Sequence, residues 1–191
     1  MEAEQIKQLE HIKESQERLT DLSIDYWQQY SSFNSWQFWF LVGILILSLI
    51  TLYLFMDRRK ALLLGFFGFN VHVWFTNFDL SAQAFVLWHL PYEMIPFLKG
   101  FSLDAAFVPV AFMLVYQWTL NHKKNYYLYA TGLCLFLSFL WMPFLSTIGV
   151  TQMDKGISYF YLFLGDICVM VISKWITNIF VHFQKESRSL A

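Results

Sequence analysis

Apolar positions run almost unbroken along this chain from residue 36 onward, and short polar clusters punctuate them. Trp36 to Met56 carries no charge and ends at Asp57-Arg58-Arg59-Lys60. A span needs about 20 apolar residues to cross roughly 30 Å of hydrocarbon. By that rule the sequence predicts five spans, at about 36–56, 61–80, 101–120, 126–150 and 157–183. The clusters "NHKKN", "TQMDKG" and "QKESRSLA" end the last three. Lipid offers the backbone no hydrogen bonds, so each span is expected to be a helix. The expectation is an all-α polytopic membrane bundle, with residues 31–191 as one transmembrane unit.

Residues 1–30 have a different pattern. Ile6, Leu9, Ile12, Leu19, Leu22 and Tyr26 recur at roughly helical spacing, in a stripe that drifts around the axis. Between them lie Glu2, Glu4, Glu10, Glu14, Glu17, Asp21 and Asp25 against Lys7, Lys13 and Arg18. Glu14 and Arg18 form an i,i+4 pair in the favourable order. This reads as an amphipathic helix outside the membrane core, lying on the bilayer, meeting a protein partner or a second copy, or solvated alone.

The stretch "WHLPYEMIPFLKGFSLD", residues 88–104, breaks the alternation of span and short loop. Pro91 suits a first helical turn and Glu93 would then favour the positive helix end. Gly100 suits a stop, and Ser102 can cap the next span with Asp104 in its first turn. The pattern predicts a short helix over 91–99, interfacial or re-entrant. His89, Glu93 and Asp104 form a candidate polar cluster at that face. Such a group can bind a cation or a lipid head group, or move a proton. The same residues are equally compatible with helix starts and an interfacial position, and their spacing matches no metal signature.

A second candidate lies deeper. His72 is eleven residues into the second span and Asp166 nine into the fifth, offsets of about 16 Å and 14 Å at 1.5 Å per residue. Ionisable groups at mid-membrane normally face a partner inside the bundle. The expectation is a midplane pair of His72 and Asp166 with Asn70 nearby, serving either packing or a proton relay. Lys174 is too far along the helix to bridge to Asp166 and is expected to reach toward the interface. Pro109 and Pro143 are expected to kink the third and fourth spans.

Composition agrees with membrane residence. Apolar residues make up 57% and charged residues 14%, against roughly 25% charged in soluble domains. The net charge of −1 supplies no basic field for nucleic acid. Cys134 and Cys168 lie in apolar runs and read as small buried hydrophobes. The sequence carries no cofactor motif, no nucleophile elbow and no Gly-rich phosphate loop. Arg58, Arg59, Lys60, Lys123, Lys124, Lys185 and Arg188 would share one side, with Lys99, Lys155 and the mixed-charge N-terminal helix on the other. Basic loops favour the cytoplasm, so the N-terminus is expected outside and the C-terminus inside.

The segments "SWQFWFLVGILI" followed by "DRRK", "LPYEMIPFL", "FVPVAFMLVYQW" and "SKW" resemble a family of small multi-pass membrane proteins of spore-forming Firmicutes whose function is uncharacterised. The resemblance runs from about Tyr26 to Trp175 and implies a bacterial plasma-membrane location and the same topology, but no reaction. Members often carry a Glu before the proline of the fourth span, where this chain has Met142. Three functional classes follow from the residues. The leading one is a non-catalytic structural or interaction role through residues 1–30. The second is an enzyme acting on a lipid or isoprenoid, with His89 and Glu93 as acid and base. The third is a small proton- or ion-coupled transporter built on His72 and Asp166.

Overall fold

The computed structural model describes residues 3–154 and 156–189. Glu2 and Lys155 lie outside the described residues, as does the side chain of Arg188. The chain is an all-α bundle, and among the described residues five helical segments are long and apolar enough to cross a membrane. Helix α1 spans Ala3–Tyr26 and widens into a π turn at Trp27–Ser31. Helix α2 is Trp36–Phe55 and α3 is Ala61–Ala84. A π turn at Leu103–Phe107 leads into α4, Val108–His122. Helix α5, Tyr126–Phe136, continues through a π turn at Leu137–Trp141 into α6, Met142–Thr147. Helix α7 runs Tyr159–Ser189.

Side-chain caps start three of these elements. Ser35 Oγ accepts from Phe38 N at 3.3 Å, Asp57 from Arg59 N at 3.1 Å, and Asn125 from Tyr127 N at 3.0 Å. Each satisfies a backbone donor that the first turn leaves open. The short loops set the handedness of travel: α1, the α3–α4 connection and the α6–α7 connection share one face, called here the α1 face. The α2–α3 and α4–α5 turns share the opposite face, where Gln117 holds Asp57 N at 2.6 Å and Phe55 O at 2.8 Å.

The short helix expected over 91–99 is not formed. Residues 90–100 follow bends and turns instead, because tertiary partners take their backbone. Strand β1, Trp88–His89, pairs antiparallel with β2, Gln152–Met153. Glu93 N donates to Ser31 Oγ at 2.7 Å, and Glu93 O accepts from Trp27 Nε1 at 2.8 Å. Ser102 is helical in φ and ψ and makes no capping bond, so it does not start α4 as expected.

Two packing regimes share the interior. Toward the opposite face, α3, α4, α5 and α7 close on Phe67, Phe112, Tyr116, Tyr126, Cys134 and Met170. The Phe67 ring centroid sits 4.6 Å from Tyr116 and 5.8 Å from Tyr126. Lys174 caps this aromatic layer. Its Nζ donates to Tyr116 Oη at 2.8 Å and Asn178 Oδ1 at 2.7 Å, so it reaches outward rather than toward Asp166. Toward the α1 face the same helices converge on carboxylates.

Candidate functional site: three buried aspartates

Two prolines shape the site. A proline lacks an N–H, and its ring crowds the carbonyl four residues back. Pro109 and Pro143 each follow a turn that has opened to π geometry. In these turns Val108 N bonds Leu103 O and Met142 N bonds Leu137 O, one residue beyond the α pattern. Asp104 and Ser138 are the second residues of those two turns. The widened turns carry both side chains into the bundle, a setting in which π-bulges recur at functional sites.

The π turn also explains His72. With Val108 bonded to Leu103, the carbonyl of Asp104 would need a donor from Pro109, which has none. His72 Nδ1 lies 3.0 Å from that carbonyl. A carbonyl only accepts, so Nδ1 carries the hydrogen there. His72 thus repairs a backbone vacancy made by a proline on the neighbouring helix. Asn70 Nδ2 donates to Phe66 O on its own helix at 2.8 Å. His72, Asn70 and Asp166, grouped by depth in the sequence, therefore bond to separate partners. Equal depth placed them at one level, but not on facing surfaces.

Asp79 is the residue the sequence reading missed. It sits on α3, only 6% exposed. Its Oδ1 accepts from Trp88 Nε1 at 2.7 Å, and its Oδ2 accepts from Gln83 Nε2 one turn later. Asp104, 4% exposed, lines the same small cavity as Asp79. Asp104 Oδ2 is buried with no hydrogen-bond partner. It presses on Gly100, where a Cβ would come within 2.6 Å of it. Gly100 also has φ +64°, in the left-handed region that favours glycine. The turn before α4 therefore tolerates no side chain at this position. Asp166 on α7 accepts from Ser138 Oγ at 2.8 Å.

Asp79, Asp104, Asp166, Ser138 and Trp88 line one cavity of about 50 Å³, whose remaining walls are apolar. Leu90 lines this cavity and also a wider vestibule of about 310 Å³ at the α1 face. Tyr26, Trp27, Ser31, His89, Glu93 and Lys99 border the vestibule. Burial pushes the Glu93 carboxyl up to about 7, while Lys99 pulls it partly back. His89 Nδ1 contacts Asp154 Oδ2 beside the β1–β2 pair. Of the cluster expected from sequence, His89 and Glu93 border the vestibule, whereas Asp104 lies in the cavity beyond Leu90. Among the described residues, no group of three His, Cys, Asp or Glu side chains is arranged to hold a metal ion.

A signal for Asp79 was present: Asp79 and Gln83 are an i,i+4 pair at the end of an apolar helix. Nothing in the sequence pointed to Ser138 beyond its position five residues before Pro143. No family model, no curated protein and no solved structure matches the chain.

Proposed function

We propose that the protein is a non-catalytic, proton-coupled membrane protein that takes up a proton from the α1 side onto the Asp79–Asp104 pair. The observation that carries this reading is a pair of buried carboxylates, Asp79 and Asp104, on the wall of one small cavity, the latter with a buried oxygen that lacks a hydrogen-bond partner. Two carboxylates sharing a buried site repel as anions and are relieved by one proton. Trp88 and Gln83 give Asp79 two donors and so favour it as the anionic member. Asp104 is then the member whose carboxyl carries the proton.

Size supports a proton over an organic substrate. A cavity of about 50 Å³ holds a few waters, whereas ligand pockets for organic molecules run to roughly 300 Å³ or more. This weighs against an organic substrate held between the aspartates. The vestibule and Leu90 supply access from one face, and the aromatic layer under Lys174 closes the other. The excess of Lys and Arg in the loops of the opposite face supports an outward α1 face, and the proton would then come from the outer side. Glu93, poised near neutrality at the vestibule, suits a first acceptor.

The test uses the full chain in phosphatidylcholine vesicles. Infrared absorption of the protonated carboxyl C=O is followed as the bath is acidified. The expected result is a band that Asp104→Asn removes and Asp79→Asn shifts, both variants keeping the helical circular dichroism of the parent. A band indifferent to both substitutions overturns the reading.

A further inference from the structure

Helix α1 leaves the bundle beyond its last turn, where Leu22, Ser23 and Tyr26 still line the vestibule. None of its described residues is buried, yet Ile12, Leu19 and Leu22 are 64%, 55% and 57% exposed. We propose that α1 is one strand of a parallel two-stranded coiled coil formed with a second copy of this chain. This inference does not depend on the carboxylate cavity.

The heptad pattern supports it. With Leu9 at position a, the a positions hold Leu9, Gln16 and Ser23, and the d positions hold Gln5, Ile12, Leu19 and Tyr26. Ile6 and Leu22 fall at the flanking e and g positions and widen the seam. The register covers three turns of the repeat before the π turn at Trp27–Ser31 breaks it. Polar residues at a, here Gln16 and Ser23, weaken a coiled coil but fix its register and strand number.

Charge favours a second copy as the occupant. The six acidic residues Glu4, Glu10, Glu14, Glu17, Asp21 and Asp25 all fall at b, c or f. None reaches a, d, e or g, where two identical acidic strands would repel. In a parallel pair the facing g and e′ residues are Gln8 with Lys13 and Ser15 with Thr20, neither a like-charge pair. A lipid surface suits α1 less well, because interfacial helices are rich in Lys and Arg. In α1 only Lys7, Lys13 and Arg18 oppose the six acids.

Geometry sets the orientation. Copies inserted the same way hold the C-terminal base of α1 at the same face, and the proposed pair runs in parallel outward from that base. The base is held in place, since Trp27 and Ser31 bond the backbone of Glu93. A short seam of this kind binds weakly in solution, and confinement of both copies to one bilayer raises its effective concentration.

The experiment is oxidative cross-linking of the full chain in vesicles. Ile12→Cys, Leu19→Cys and, as an f-position control, Glu14→Cys are compared with the parent, whose Cys134 and Cys168 provide the background. The seam variants are expected to give a disulfide dimer about tenfold more abundant than the control, and adding Leu19→Asp to Ile12→Cys is expected to remove it. Equal cross-linking at all three positions overturns the seam. Monomer at every position, or Ile12→Cys joining only to a different protein, overturns the second copy.

Discussion

Helices α3, α4, α5 and α7 meet twice, by opposite means. Near the opposite face they close through Phe112 and through Phe67, Tyr116 and Tyr126, where Tyr126 meets the other two rings edge to face under Lys174. Near the α1 face the same helices, with the π turns preceding Pro109 and Pro143, meet through Asp79, Asp104, Asp166 and Ser138. In lipid, association depends on van der Waals packing and interhelical hydrogen bonds rather than on escape from water. The aromatic layer supplies the first. The aspartate layer gives up close packing for a small cavity and holds helices by bonds to carboxylates. A bundle of this size can leave one end imperfectly packed because the other end is dense.

If that division holds, stability and proton uptake should separate on mutation. The largest stability effect is expected for Phe67→Ala, which empties a fully buried site in the aromatic layer. The expected loss is roughly 3 kcal/mol, at the lower end for such truncations because lipid rather than water is the alternative. Thermal unfolding in detergent measures it, and the carboxyl infrared band should persist in the protein that remains folded. A Phe67→Ala protein with parental stability would show that the aromatic layer does not anchor the bundle.

Trp88→Phe sharpens the comparison from the other side. It keeps the ring but removes the N–H that Asp79 Oδ1 accepts at 2.7 Å. Bonds to charged groups contribute about 1.5–3 kcal/mol, and the variant is expected to lose an amount within that range in denaturant unfolding. Unlike Phe67→Ala, it should also move the carboxyl band, because Asp79 loses a donor. A loss of stability with the band unmoved would separate Trp88 from the carboxylate pair.

The smallest effect concerns pH. Glu93 has a carboxyl raised by burial from 4.5 to about 7. The folded protein therefore binds a proton that the unfolded chain has released, across the interval between those values. Stability is expected to fall as pH rises through that window, the direction linkage requires for a raised carboxylate. Glu93→Gln should flatten the slope while leaving the Asp104 band in place. An unchanged pH profile would mean that Glu93 reaches bulk water and is no part of the vestibule's chemistry.

The membrane plan was legible because it rests on local signals. Twenty apolar residues and a cluster such as "DRRK" locate a span without any knowledge of its neighbours. The site was not legible, because Asp79 and Asp104 come from helices that meet only in three dimensions. Depth along the axis suggested His72 with Asp166, but rotation decides who faces whom, and the π turns before Pro109 and Pro143 alter that rotation. The two prolines were visible as sources of kinks, whereas the widened turns they produce were not. Residues 91–99 show the complementary failure. Pro91 and Glu93 are sound local helix signals, and they lost to partners at Trp27 and Ser31 that lie far along the chain.

The β1–β2 pair has a consequence for biogenesis. Trp88 and His89 must wait for Met153 and Gln152, about 65 residues later in synthesis. Those residues reach the α1 face only after α5 and α6 have threaded the bilayer. Until then Trp88 lacks the strand partner that holds it beside Asp79. The strap is thus completed only after the fourth span has been made, and the cavity wall only when α7 adds Leu162 and Asp166.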